Sequence, residues 1–250
     1  MGFFECVADG FRLLNGKKIR PFTTALVVAA GGSTRMGMGV SKQFLEIGGM
    51  PVLARTLKAF EEAPLVREIV VVAQKEAMDA VRALAAEHGI KKLAHVVAGG
   101  DTRALSVKNG LDAVSARAKF VAIHDGARPL ITPRMIERVC RAAYTYKAAT
   151  AAAPVTDTVK VADKKGFIAA TADRTTVFLA TTPQVFSLPL YRGALATVTD
   201  FEGLTDDNQL IERLPHPVKI VDCGKTNLKI TTPEDIGFAE AILRERGEIQ

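Results

Sequence analysis

Four short runs of branched apolar residues recur along the chain: ALVVAA at 25–30, EIVVVA at 68–73, LAHVVA at 93–98 and FVAIH at 120–124. Continuous apolar runs of this length suit strands covered on both faces, as in a parallel sheet. The stretches between them change to helical spacing. In 133–147, Ile136, Val139, Cys140 and Ala143 recur on one face behind Pro133, a favourable first-turn residue. In 51–62 the stripe is Leu53, Leu57 and Phe60, and in 75–88 it is Met78, Val81 and Ala85, closed by His88-Gly89. Strand and helix alternating in this way predict right-handed βαβ units, hence an α/β fold with a doubly wound, mostly parallel sheet. The regularity breaks at 155–170, where TDTVKVA and GFIAAT flank the polar turn Asp163-Lys164-Lys165-Gly166. This hairpin has too few large apolar residues for a core pair and is expected to project as an arm, spanning about 155–175. Beyond it follow VFLATTPQVF, helices near 187–198 and 206–213, a strand at 218–222 and a last helix opened by Thr232-Pro233-Glu234-Asp235. One domain over 25–250 with an inserted arm is the economical description.

Composition narrows what such a domain does. With 48% hydrophobic and 24% charged residues the 250-residue chain is of ordinary globular make-up, and no run of about 18 apolar residues offers a membrane span. The net charge of +6 invites an anionic partner, yet there is no Trp and only three Tyr for stacking on bases. A small anion such as a nucleotide is therefore expected rather than a nucleic acid. Cys6, Cys140 and Cys223 show neither pairing nor metal-ligand spacing and read as reduced thiols of a cytoplasmic protein. Residues 1–24 lack the pattern of a secretory signal and are expected to be a loosely attached extension.

Ligands of open parallel sheets bind beyond the carboxyl ends of the strands, which directs attention to the strand tips. After the first run comes Gly31-Gly32-Ser33-Thr34-Arg35-Met36-Gly37-Met38-Gly39-Val40-Ser41-Lys42. Its glycines let backbone N–H groups approach an anion, and Arg35 and Lys42 add two positive charges. It has neither the G-x-x-x-x-G-K-[ST] spacing nor a G-x-G-x-x-G opening, and a glycine-rich surface loop with solvated charges is the competing reading. The third run ends in Gly99-Gly100-Asp101-Thr102-Arg103 before a helix carrying Ser106; an Asp N-cap would explain the turn without any ligand. The fourth ends in His124-Asp125-Gly126-Ala127-Arg128. A carboxylate at a strand tip three residues before an arginine suits Mg²⁺ binding, or else an ion pair that only shapes the turn. His124 reads as a packed strand-end residue, since no second His or Cys stands at metal spacing.

AAGGSTRMG…SKQFLEIGGMPVL, GGDTRALSV, HDGARP, APVTDTVK, TADR, TTPQVF and NLKITTPED, in this order over about 25–245, resemble the 2-C-methyl-D-erythritol 4-phosphate cytidylyltransferases of the non-mevalonate isoprenoid pathway. The resemblance implies a Rossmann-like nucleotidyltransferase fold that transfers CMP from CTP to the sugar phosphate with Mg²⁺, as a homodimer joined through the arm. It implies that Ala29, Ala30, Gly31, Gly32, Gly100, Asp101 and Ser106 bind the nucleotide, and that Arg35, Lys42 and Lys229 act on the reacting phosphates. It further implies that Asp125 sits beside the metal, and that Asp125, Arg128, Thr158, Arg174 and Thr182 meet the acceptor, with Thr158 and Arg174 reaching the neighbouring subunit's site. The chain departs from the family pattern at Ser33, Ser41 and Gly126, all small residues that keep the charges. A ribitol 5-phosphate cytidylyltransferase shares the nucleotide-side motifs. A nicotinamide-dependent dehydrogenase is disfavoured by the missing fingerprint, and a catalytically silent nucleotide-binding protein would bind CTP without releasing pyrophosphate.

Overall fold

A computed structural model describes residues 21–31, 42–198 and 203–250. The strands are β1 (Thr23–Val28), β2 (Glu46–Ile47), β3 (Met50–Pro51), β4 (Val66–Ala73), β5 (Leu93–Ala98), β6 (Phe120–Asp125), β7 (Ala148–Pro154), β8 (Lys160–Ala162), β9 (Ile168–Thr171), β10 (Phe178–Ser187) and β11 (Lys219–Asp222). The helices are α1 (Val52–Glu62), α2 (Met78–Glu87), α3 (Arg103–Asp112), α4 (Pro133–Tyr146), α5 (Leu188–Ala196), α6 (Asn208–Glu212) and α7 (Glu234–Glu245).

Seven strands form the main sheet in the order β11-β7-β10-β6-β1-β4-β5. Every pairing is parallel except those of β10, which runs antiparallel to β6 and β7. The expected doubly wound, mostly parallel sheet is therefore present. Alternation along β1 shows how two faces are filled: Ala25, Val27 and Ala29 join the layer containing Leu57, Phe60, Val81 and Ile136, while Leu26 joins the layer containing Val107, Leu111, Tyr191 and Ile211. A third cluster seats α7, through Ala239 and Leu243, against Ile47, Val52, Ala127 and Leu130.

The folded unit begins before Ala25. Thr23 and Thr24 are buried in β1, and the Thr24 hydroxyl donates to Glu68 Oε1 at 3.0 Å. The backbone of Phe22 accepts hydrogen bonds from Lys119 and Phe120. Residues 1–20, the bulk of the expected extension, lie outside the described residues. Three further differences concern strands. The ribbon of β2 and β3 and the alanine-rich β7 were not expected, and the arm is shorter than its sequence suggests, since 155–159 stays outside β8. The arm itself is present as the separate antiparallel pair β8–β9, exposed at every position.

Candidate active site

The topological switch lies between β1 and β6, whose carboxyl ends stand side by side through the pairs Val27 to His124 and Val28 to Asp125. Asp125, at the tip of β6, is 8% exposed and gathers three cations. Lys229 Nζ stands 3.2 Å and Arg128 Nε 3.1 Å from its Oδ2, and Arg103 Nε stands 3.6 Å from its Oδ1. Burial pushes the Asp125 carboxyl up, but Lys229, Arg103 and Arg128 together outweigh it and hold the group well below the usual carboxylate range. The expected Asp125–Arg128 pair is thus real, and it is one of several contacts rather than a private turn-shaping bond.

Local backbone explains these positions. Arg128 also donates from Nη1 to the carbonyl of Asn227 at 2.9 Å, and the Ile230 N–H donates to the carbonyl of Ala127 at 2.8 Å. The segment bearing Lys229 is thereby laid along the loop that follows β6. Asp235 then accepts from the Thr231 and Thr232 N–H groups at 2.7 and 2.8 Å, which fixes the entry to α7. Gly126 eases a tight approach, since a Cβ there would stand 3.0 Å from Ala29 Cβ and 3.2 Å from the Val28 carbonyl oxygen.

Under the cluster lies a sealed hydrogen-bonded chain. The Asp125 N–H donates to Thr182 Oγ1 at 3.1 Å, and that hydroxyl lies 3.0 Å from His124 Nδ1, to which it donates when the ring proton is on Nε2. The remaining His124 N–H, on Nε2, faces the Arg128 carbonyl oxygen at 3.4 Å. Burial lowers the His124 pKa to about 3, so the imidazole is a neutral crosspiece. Thr182, expected beside the acceptor from the resemblance, is buried with its hydroxyl committed in this chain.

On the nucleotide side, Gly99 lies so close to Ala30 that a Cβ would meet the alanine methyl at 2.4 Å, which brings the loops after β1 and β5 together. Ser106, buried on α3, has its Oγ accept the Gly100 N–H at 3.1 Å. The N-cap of α3 is Thr102, whose Oγ1 accepts from the Leu105 N–H at 3.2 Å, so Asp101 is left exposed with no capping task. Buried Gln43, beside Lys42 in a turn of 3-10 helix, donates to the Ala29 carbonyl at 2.8 Å and the Gly31 carbonyl at 3.5 Å. Lys42 is thereby held next to the start of the glycine-rich loop. Gly32 and Arg35 lie outside the described residues.

Thr158 and Arg174 stand apart. Both are exposed, and Arg174 donates to the Thr156 carbonyl at 2.8 Å at the root of the arm. Lys225 donates to the Thr156 hydroxyl from the other side. Among the described residues, the cations paired with Asp125 are Arg103, Arg128 and Lys229, and Arg174 is not among them. Sequence reasoning missed Arg103, Asp207 and Gln43. Arg103 stands in the GGDTR motif, but its partner is Asp207, on which Arg103 Nη1 closes at 2.7 Å from far along the chain.

A hydroxyl–imidazole pair that is sealed from solvent does not serve as an exposed nucleophile and base. Cations around a strand-tip carboxylate at the switch point of a doubly wound sheet instead suit chemistry between phosphates, such as nucleotidyl transfer. Residues 23–245 match the model of the 2-C-methyl-D-erythritol 4-phosphate cytidylyltransferase family. The chain is 44% identical over 225 residues to the protein of that name from Caldanaerobacter subterraneus subsp. tengcongensis, covering 89% of this chain and 99% of the relative. With the Geobacter metallireducens protein of the same name it shares 44% identity over 228 residues, covering 89% and 97%. Among solved structures, the 4-diphosphocytidyl-2C-methyl-D-erythritol synthase of Anaerococcus prevotii superposes with a TM-score of 0.81 at 31% identity, covering 90% and 96%. The 2-C-methyl-D-erythritol 4-phosphate cytidylyltransferase of Thermus thermophilus does so with a TM-score of 0.71 at 33% identity, covering 89% and 99%. The chain belongs to the 2-C-methyl-D-erythritol 4-phosphate cytidylyltransferase family and is an enzyme of the nucleotidyltransferase class.

Proposed function

We propose that the chain transfers CMP from CTP to 2-C-methyl-D-erythritol 4-phosphate, releasing pyrophosphate and giving 4-diphosphocytidyl-2-C-methyl-D-erythritol for isoprenoid precursor synthesis. The observation that carries the mechanism is the crowding of Lys229, Arg128 and Arg103 on one buried carboxylate. The nucleophile is a phosphate oxygen that is already anionic, so no base is needed. The difficulty is bringing two polyanions into line at the α-phosphorus, which positive groups and positioning overcome. In this reading Arg35 and Lys42 take the triphosphate, and Lys229 leaves Asp125 for the charge that builds in the transition state. Ala29, Ala30, Gly31, Gly32, Gly100, Asp101 and Ser106 bind the nucleotide, Ser106 by shaping the Gly100 backbone. Asp125 and Arg128 face the acceptor, and Thr182 supports them from below.

Among the described residues no group of three or more His, Cys, Asp or Glu side chains is placed to hold a metal. A single carboxylate together with phosphate oxygens nevertheless suits Mg²⁺, which binds through one or two carboxylates and keeps several waters. Asp125 is the residue that would hold it, and the ion would supply charge neutralisation on the triphosphate.

We further propose a homodimer in which the arm carries Thr158 and Arg174 to the partner's acceptor site. Supporting this, Val161, Phe167 and Ile168 of the arm are exposed, Phe167 to 70%. We also propose that the reaction takes place in the cytoplasm, a reading supported by Cys6, Cys140 and Cys223, whose spacing offers neither a disulfide pair nor a metal site. The functional reading is tested by pyrophosphate release with each nucleotide and each acceptor. Release is expected with CTP and methylerythritol phosphate. Comparable release with ATP or GTP, or preference for ribitol 5-phosphate, would overturn it.

A further inference from the structure

Arg103 has no part in the reading above beyond crowding Asp125, yet its placement is unusual. It is the first residue of α3, where the helix dipole disfavours a cation, so helix stability does not account for it. Its guanidinium spans two carboxylates, with Nη1 2.7 Å from Asp207 Oδ2 and Nε 3.6 Å from Asp125 Oδ1. Asp207 is buried and immobilised: the Tyr191 hydroxyl donates to its Oδ1 at 2.6 Å, and its backbone N–H donates to Gln184 Oε1 at 2.9 Å. Gln184 in turn sits on β10 opposite Ile123 of β6.

We propose that Arg103 is a positioning residue: held by Asp207, it keeps a positive charge beside the second oxygen of the Asp125 carboxylate and so biases the plane in which that carboxylate sits at the reaction centre. The inference rests on the cytidylyl-transfer reading and deepens it. Lys229 and Arg128 both bind Oδ2, so they supply counter-charge but leave rotation about the Cβ–Cγ bond governed from one side. When Lys229 turns to the phosphates, Arg128 on Oδ2 and Arg103 on Oδ1 remain to hold the plane. A forked guanidinium reaches both carboxylates at once, which a lysine ammonium on a flexible stem does not. Because Arg103 also ends the Gly99–Thr102 loop, the same contact ties the nucleotide side of the site to the acceptor side.

Two variants test this. Arg103→Lys keeps a charge against Asp207, and the double variant Arg103→Gln/Asp207→Asn removes both charges so that neither is buried alone. Each is measured for thermal melting, for CTP binding by calorimetry with Mg²⁺, and for pyrophosphate release with CTP and methylerythritol phosphate. The expected result is a kcat about tenfold to a hundredfold lower in both variants, of the size that misplaced reacting groups produce. The CTP dissociation constant should stay within about threefold, since the loss is of orientation rather than of uniform binding. A purely structural ion pair predicts that the double variant, once folded, turns over like the wild type. A kcat within about twofold of wild type in either folded variant, or a loss that follows melting temperature, would overturn the proposal. Pyrophosphate release by the wild-type enzyme, with CTP against other nucleotides and methylerythritol phosphate against ribitol 5-phosphate, tests the underlying reading separately, because none of its outcomes involves a change at Arg103.

Discussion

The tip of β6 and the arm use charge and apolar surface in opposite ways. At the β6 tip, four consecutive residues from His124 to Ala127 are buried although two are ionisable, because each polar group meets a partner from the same chain. In the arm, all of β8 and β9 is exposed although Val161 and Ile168 are apolar, and the contact across it, Lys160 Nζ to Thr171 Oγ1 at 2.8 Å, is polar. A buried carboxylate is tolerated when counter-charges and N–H donors surround it. An isolated two-stranded ribbon with its apolar side chains in water is marginal, and it gains stability from a surface laid against it. In one region the polar groups find partners within the chain, and in the other apolar side chains are left in water.

Removing charge from the site at the ends of β1 and β6 sharpens the contrast most. Lys42→Ala is expected to lower turnover by at least about a hundredfold, as loss of a single preorganised contact to transition-state charge does. Steady-state pyrophosphate release measured beside a thermal melt separates this loss of turnover from a loss of fold. Asp125→Asn should act on stability as well, contrary to a purely metal-holding role, because Arg103, Arg128 and Lys229 would crowd without their common counter-charge. A loss of about 2–3 kcal/mol in chemical denaturation is expected, less than for a fully enclosed pair since Lys229 is part-exposed.

The self-contained character of the β6 tip also predicts a pH effect. His124 binds a proton near pH 6.5 when unfolded but only near 3 when folded, so stability is full above 6.5 and falls as pH drops toward 3. The slope from this group alone is about 1.4 kcal/mol per pH unit within that window. His124→Gln should flatten the stability–pH curve by one proton there, and an unchanged curve would mean that the ring is not held neutral. On the arm the expected effect is smallest in the monomer: Phe167→Ser should change its stability by no more than about 0.5 kcal/mol. If the arm meets a second copy, the larger effect is on association, read by sedimentation.

Much of this was legible in the sequence, for reasons that differ along the chain. The βαβ alternation and the pair Asp125 and Arg128 at the end of the fourth run stood in local patterns, Lys229 was pointed to by the family resemblance alone, and α4 followed its apolar stripe behind Pro133. β7 did not show itself because AATAAAP is rich in alanine, a helix former; it is a strand because β10 and β11 pair with it on either side. Thr102 rather than Asp101 caps α3, a choice between adjacent capping residues that composition does not resolve. The Arg103–Asp207 link was invisible because nothing in either residue's neighbourhood foretells a contact across the sheet's end.

Mixing two inactive variants tests the contrast between the regions most directly. Lys42→Ala damages a chain's own site, whereas Arg174→Ala, if the arm serves a second copy, damages its partner's. In a mixed dimer one site then carries both lesions and the other carries neither. Random reassociation of equal amounts makes about half the dimers mixed, so about 25% of wild-type pyrophosphate release should return. If both residues serve the same chain's site, every site keeps a lesion, and verified subunit exchange with no recovered activity would contradict the account.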